Sequence, residues 1–163
     1  MQEASERHPR FSREARRMPC RDPHPISLLE DCYRAELSAV AAYTYRSLVT
    51  EPLSGELSAL LDRIAVDESE HFRLIGSLIV SLGGNPIVRA RVQTEPYDFD
   101  GMTEQKTEIT LSRMLREAMA EEREAIDRYQ TVLARTEDRI LRSFLTQIIA
   151  DEERHVSGLK SMM

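Results

Sequence analysis

Tryptophan is absent from this chain of 163 residues, and glycine occurs only 6 times. Aromatic residues make up 6% of the chain, too few for the ring-rich cores and glycine-rich turns of sandwiches and barrels, so the composition favours an all-α protein. Cysteine is nearly missing as well. Cys20 and Cys32 form no Cys-x-x-Cys pair, which leaves no disulfide framework and excludes a four-cysteine metal site within one chain. No apolar run approaches the ~18 residues of a membrane span, so no membrane is expected. An excess of basic charge is lacking too: 22 Lys and Arg stand against 28 Asp and Glu, a net charge of -6, which speaks against a nucleic-acid partner. The N-terminus has no apolar signal core and several arginines, and the expectation is a cytoplasmic protein.

The chain that is present divides in two. Residues 1–25 are polar, Arg-rich and punctuated by proline, and read as a flexible tail. His8 and His24 fall there without partners, and no role is assigned to them. Residues 26–163 suffice for one domain with a real core. Four stretches carry the 3,4 spacing of amphipathic helices. The first runs from about Ser27 to Thr50, through Leu29, Cys32, Ala39, Val40 and Tyr43. The second runs from about Gly55 to Leu82, with Leu57, Leu60, Leu61, Ile64, Ile75, Leu78 and Leu82 on its stripe. The third begins near Thr110 and includes Met114, Leu115, Ala118, Ala125, Ile126 and Tyr129. The fourth begins near Glu137, with Ile140, Leu141, Phe144, Leu145, Ile148 and Leu159 on its stripe. Short links join first to second and third to fourth, whereas residues 83–108 form a long piece opened by the helix stop Gly83-Gly84. The expected architecture is a four-helix bundle of two hairpins joined by one long crossover.

A repeat inside the chain singles out six residues. IAVDESEH (64–71) matches IIADEERH (148–155), each with Asp-Glu-x-x-His after an apolar turn. The preceding helices match too: ELSAVAAY (36–43) aligns with EREAIDRY (122–129). The two halves read as one duplicated hairpin. On the third helix Glu121 and Glu124 compete with Glu122, but only Glu122 continues the stripe through Ala118, Ala125 and Tyr129. The same test puts Glu36, Glu68, His71, Glu152 and His155 on apolar stripes, and Glu70 on the surface.

Four carboxylates in one core are costly, since burying an ionised carboxylate takes several kcal/mol even after relaxation. No Lys or Arg interrupts the stripes to pair with them. Two divalent cations cancel four negative charges and leave neutral histidines as ligands. In that reading Glu36 and Glu122 each cap one ion, Glu68 and Glu152 can bridge both, and His71 and His155 each bind one.

One Glu from each of two helices plus Glu-x-x-His from each of the others is the ligand set of ferritin-like di-iron and di-manganese proteins. From about 27 to 160 the chain resembles that superfamily, and its opening helix, RAELSAVAAY, is similar to that of rubrerythrin-like proteins. The resemblance implies an oxidoreductase holding two Fe ions, or Mn or mixed Fe/Mn, that reacts with hydrogen peroxide or oxygen. It implies that Asp67 and Asp151 hold the far nitrogens of His155 and His71, crosswise. Tyr43 and Tyr129 are expected to serve catalysis by hydrogen-bonding a carboxylate or relaying an electron, with core packing as the rival role. Cys32 is expected to pack as a small buried residue.

The chain also departs from its relatives. The four-cysteine rubredoxin domain of typical rubrerythrins is not in this sequence, so electrons are expected from a separate donor protein. Those proteins add a glutamate on the third helix, for which Glu124 has about the right position but the wrong face. Bacterioferritin resembles the chain in ELSAVAAY and both Glu-x-x-His pairs. Ser69 stands where its haem-binding members place methionine, so no haem is expected, and the residues after His155 in this sequence are too few for the expectation of a fifth helix. A ferroxidase and a manganese-catalase-like peroxide disproportionation remain the alternative activities. A homodimer is expected from the resemblance alone. The rival of a different class is a metal-free bundle serving as an interaction module, in which the six residues would be solvated.

Overall fold

A computed structural model describes residues 25–88 and 96–163. Apart from Pro25, the stretch assigned to a flexible tail lies outside the described residues. Four helices follow in order: α1, Pro25–Thr50; α2, Gly55–Ser81; α3, Glu104–Leu133; and α4, Arg139–Ser161. There is no strand among the described residues. The all-α bundle expected from composition and periodicity is the fold observed.

Local chemistry sets the helix ends. Pro25 opens α1, where a missing N–H costs nothing. Ser54 caps α2 by accepting from Leu57 N at 3.2 Å, and Asp138 caps α4 by accepting from Ile140 N at 2.8 Å and Leu141 N at 2.9 Å. At the far end of α2, Gly83 takes φ 82°. Its N–H reaches Val80 O at 2.9 Å and that of Gly84 reaches Ile79 O at 2.8 Å, which closes a Schellman motif. The helix α3 starts at Glu104, nearly two turns before the expected Thr110. Its first turns carry no core stripe (Ile109 is exposed), but Thr103 caps them and Glu, Gln and Lys are good helix formers.

α1 packs on α2, α3 on α4, α1 on α3, and α2 on α4. Both cross-hairpin pairs run antiparallel, since residues near 36 and 43 of α1 meet 129 and 122 of α3, and 67 and 71 of α2 meet 155 and 151 of α4. The order is therefore up, down, down, up. The connection from α2 to α3 must travel the bundle's length, as the two-hairpin topology requires. Its last stretch is anchored: Tyr97 is buried, its N–H donates to Tyr45 Oη at 2.7 Å, and its hydroxyl donates to Glu117.

Two apolar clusters flank the bundle's middle. One gathers Leu29, Cys32, Ile75, Ile79, Tyr129, Val132, Leu145 and Ile148; the other gathers Tyr43, Leu57, Leu61, Ile64, Met114, Leu115, Ala118 and Leu159. Three residues read onto the stripes lie outside this core. Ile140 is 68% exposed, and Phe144 and Leu82 are also exposed. Ile140 and Phe144 sit on the flank of α4 beyond the stripe of Leu141, Leu145 and Ile148, and Leu82 belongs to the C-cap of α2.

Candidate metal centre

Between the two clusters the stripes of all four helices turn polar. Glu36, Glu68, His71, Glu122, Glu152 and His155 are all buried there, Glu152 at 0% exposure. The repeat explains the convergence: each hairpin brings one Glu from its first helix opposite a Glu-x-x-His from its second, and antiparallel packing superposes the two sets. Two groups result, Glu36–Glu68–His71–Glu152 and Glu68–Glu122–Glu152–His155, each with its candidate ligand atoms within 4.8 Å of one another. Glu68 and Glu152 belong to both.

Each imidazole turns Nδ1 inward. His71 Nδ1 lies 3.2 Å from Glu152 Oε1, 3.6 Å from Glu68 Oε2 and 3.8 Å from Glu36 Oε2. His155 Nδ1 lies 3.0 Å from Glu152 Oε2, 3.3 Å from Glu68 Oε1 and 3.5 Å from Glu122 Oε2. The Nε2 atoms point outward to aspartates, crosswise between α2 and α4. His71 Nε2 is 3.3 Å from Asp151 Oδ2, and His155 Nε2 is 3.1 Å from Asp67 Oδ2. A carboxylate only accepts, so this pairing puts a proton on Nε2 and leaves Nδ1 as the atom each ring turns toward the centre. Asp151 is also held by Arg154 and by Gln147 at 3.0 Å.

The tyrosines cross over as well. Tyr43 of α1 donates its hydroxyl hydrogen bond to Glu122 Oε1 of α3, and Tyr129 of α3 donates to Glu36 Oε1 of α1. Both phenols are buried, which pushes their pKa well above the ordinary value, with the charge of Glu122 and Glu36 acting in the same direction. They are hydrogen-bond donors held against the outer carboxylates. Cys32 packs in the cluster beside Tyr129, its thiol raised to about 12 by burial and by the charge of Glu36.

The protonation pattern divides the carboxylates into an outer and an inner pair. Burial, reinforced by Glu68, pushes Glu36 well above the carboxylate range, and burial raises Glu122 to about 8 despite the nearby His155 imidazole. Burial opposes ionisation of Glu68 and Glu152 as well, but the adjacent imidazoles of His155 and His71 outweigh it and hold both low. Burial alone would lower the histidines. The carboxylates outweigh it, raising His71 to about 11 and pushing His155 up further.

Four buried polar atoms still lack a hydrogen-bond partner: Glu36 Oε2, Glu68 Oε1, His71 Nδ1 and Glu152 Oε1. The 3.2 Å approach of His71 Nδ1 to Glu152 Oε1 has no hydrogen-bond geometry. Orphaned lone pairs in a buried core are costly unless something binds them. Oxygen and imidazole donors in this number suit two borderline divalent ions such as iron or manganese. The residues fit the metal pair the ligand pattern implies.

Other acidic residues stay apart. Glu70 is exposed, and Glu124 is 75% exposed at its side chain, 3.9 Å from Arg128, so it does not serve as an added third-helix glutamate. Glu121 is half exposed but not isolated: it accepts two 2.7 Å hydrogen bonds from Arg46. The expectation that no basic residue interrupts the stripes is therefore corrected. Arg46 is 5% exposed on the inner face of α1, with its guanidinium over the Tyr43 ring. It pairs with Glu121 rather than with the core carboxylates. The signal was present in the sequence, because Arg46 continues the face of Glu36, Ala39 and Tyr43.

Fold and site together define a ferritin-like four-helix bundle with two residue groups that could each hold a metal ion. The Rubrerythrin family model matches residues 27–163, and the chain belongs to that family. Among solved structures it resembles Desulfovibrio desulfuricans bacterioferritin, a protein with a diiron site, at 22% identity and a TM-score of 0.66, over 85% of this chain and 77% of that one. It also resembles Rhodobacter capsulatus bacterioferritin, described with a metal-free dinuclear site and haem iron, at 23% identity and a TM-score of 0.64, over 84% and 81%. At these identities the likeness establishes the fold. Comparison with curated protein sequences finds no match.

Proposed function

We propose that the protein is a di-iron carboxylate oxidoreductase that reduces hydrogen peroxide. The observation that carries the reading is the pair of four-residue ligand groups sharing Glu68 and Glu152, with orphaned lone pairs aimed between them. Glu36 and His71 would complete one ion, and Glu122 and His155 the other. Held there, an iron pair would supply the two electrons that, with two protons, convert one peroxide molecule to two waters. The chain's own part is positioning. Asp151 and Asp67 fix the imidazoles, while Tyr129 and Tyr43 hold a proton against one oxygen of each outer carboxylate. The burial that orphans the ligands also keeps bulk water away from the reacting ions. Returning the two ions to the ferrous state requires a separate electron donor.

A ferroxidase is the second reading. It draws support from the symmetric six-residue set, with Glu124 turned to the surface. Anaerobic loading with Fe(II), followed by stopped-flow mixing with peroxide or oxygen, separates the two. The peroxidase reading expects peroxide to oxidise the loaded protein faster than oxygen does. Faster oxidation by oxygen, with ferric iron accumulating on the protein, would support the ferroxidase. Oxygen evolution from peroxide without reductant would instead mark a manganese-catalase-like activity.

A further inference from the structure

Two cavities approach the centre from opposite sides, and they differ in what they reach. The first, of about 190 Å³, opens between α1 and α3. Glu36, Glu68 and Glu122 line it. Glu36 and Glu68 are both 2% exposed, and each carries one of the unpartnered carboxylate oxygens. The second opens between α2 and α4, and of the six core residues only His155 lines it. There it meets Asp67 against Nε2, the ring edge turned away from the ligand atoms. A molecule in the second cavity faces the back of an imidazole, whereas a molecule in the first faces open lone pairs.

The passage between α1 and α3 exists because its walls are small. Ala39 and Ala42 on α1 face Ala125 on α3, where larger side chains would close the gap. The mouth is charged but balanced. Glu121 is tied to Arg46, and Glu124 stands 3.9 Å from Arg128. Such a mouth gives an ion no net attraction, while an apolar substituent lodged there would strip water from two acid–base pairs.

We propose that the cavity between α1 and α3 is the route by which a small uncharged oxidant of hydrogen peroxide's size reaches the centre, and that the cavity between α2 and α4 is not. The proposal rests on the di-iron reading for its substrate and on the cavities for its route, so two measurements separate them. Anaerobic titration with Co(II), followed by its ligand-field absorption, reports whether the centre takes two ions. In the loaded protein Ala39→Leu is expected to keep that stoichiometry and slow oxidation by hydrogen peroxide about tenfold or more, because the larger side chain fills the open passage that Ala39 lines. Val66→Phe, a matched enlargement beside the second cavity, is expected to leave the rate within about twofold. Cumene hydroperoxide is expected to react at least about tenfold more slowly than hydrogen peroxide with the unaltered protein. A rate lost in Val66→Phe and kept in Ala39→Leu would overturn the assignment.

Thiol accessibility tests the route without any metal. In a Cys20→Ser background, Ala39→Cys is expected to react with methyl methanethiosulfonate while Cys32 stays protected, and to react about tenfold or more slowly with fluorescein maleimide. An introduced thiol as unreactive as Cys32, or equally open to both reagents, would overturn the route. Failure to bind Co(II) with normal thiol accessibility would instead overturn the di-iron reading alone.

Discussion

Arg46 and Glu121 show how one residue's partner decides what its loss means. The pair is half inside the protein: the guanidinium is buried over Tyr43, while the carboxylate is half exposed. The carboxylate that Arg46→Met leaves behind is half exposed and stays hydrated, so the substitution is expected to change stability by no more than about 1 kcal/mol. Glu121→Ala leaves the guanidinium without its acceptor, and is expected to cost about 1–2 kcal/mol, discounted because solvent reaches the pair. Neither substitution should alter the stoichiometry of metal binding. Glu122→Ala, one residue along, removes an outer ligand and is expected to abolish the second ion. Denaturant unfolding and Co(II) titration of the three variants check this, and loss of the second ion in Glu121→Ala would mean that the wrong face of α3 has been assigned to the centre. Asp67→Asn and Asp151→Asn act one step further out. Each replaces a charged acceptor at a histidine's Nε2, and each is expected to weaken metal affinity about 10–100-fold, measured by competition with a chelating dye.

At the scale of the element, the helix ends and faces were legible to different degrees. Gly83-Gly84 was readable as a stop because a left-handed residue beyond a helix is a strictly local requirement. Gly83 meets no other atom where a Cβ would stand, so Gly83→Ala isolates the backbone cost of φ 82°. It is expected to lower stability by about 1 kcal/mol, seen as a lower thermal midpoint with unchanged metal binding. The start of α3 was not readable from apolar spacing, because its first turns touch no core and owe their helicity to a cap and to propensity. Ile140 and Phe144 mislead for the opposite reason: they are apolar at nearly the right spacing, but the other helices do not reach that flank of α4. Arg46 escapes an apolar stripe that ends at Tyr43, although the buried face of α1 continues through Arg46 to Thr50.

For the whole molecule, the duplicated hairpin made the centre legible before any coordinates, since a two-fold repeat of Glu and Glu-x-x-His constrains four helices at once. What the sequence did not carry is the division of the carboxylates into outer and inner pairs, which arises only when both hairpins are packed. That division leads to a linkage prediction. In the metal-free centre the shifts favour charged His71 and His155, ionised Glu68 and Glu152, and protonated Glu36 and Glu122, a set with no net charge. With two divalent ions, neutrality requires four ionised carboxylates and two neutral imidazoles. Loading is therefore expected to release several protons at pH 7, and fewer at pH 9, where Glu122 has already lost its own. Calorimetry in buffers of different ionisation enthalpy measures the number, and a release of one or fewer would refute the outer and inner division. The same shifts fix how the metal-free protein responds to pH. Glu122 has a raised folded pKa, from 4.5 to about 8, so its proton favours the fold and the advantage is lost as pH climbs through that window. His71, raised from 6.5 to about 11, contributes fully below 6.5 and loses its contribution as pH approaches 11. Glu68 and Glu152 are depressed and act oppositely, contributing above about pH 4.5 and failing in acid. The metal-free protein should thus be most stable near about pH 5–6 and lose thermal stability toward pH 9. Bound ions take the place of those protons, so the gap in thermal midpoint between loaded and metal-free protein is expected to widen as pH rises, because protons compete less for the same lone pairs.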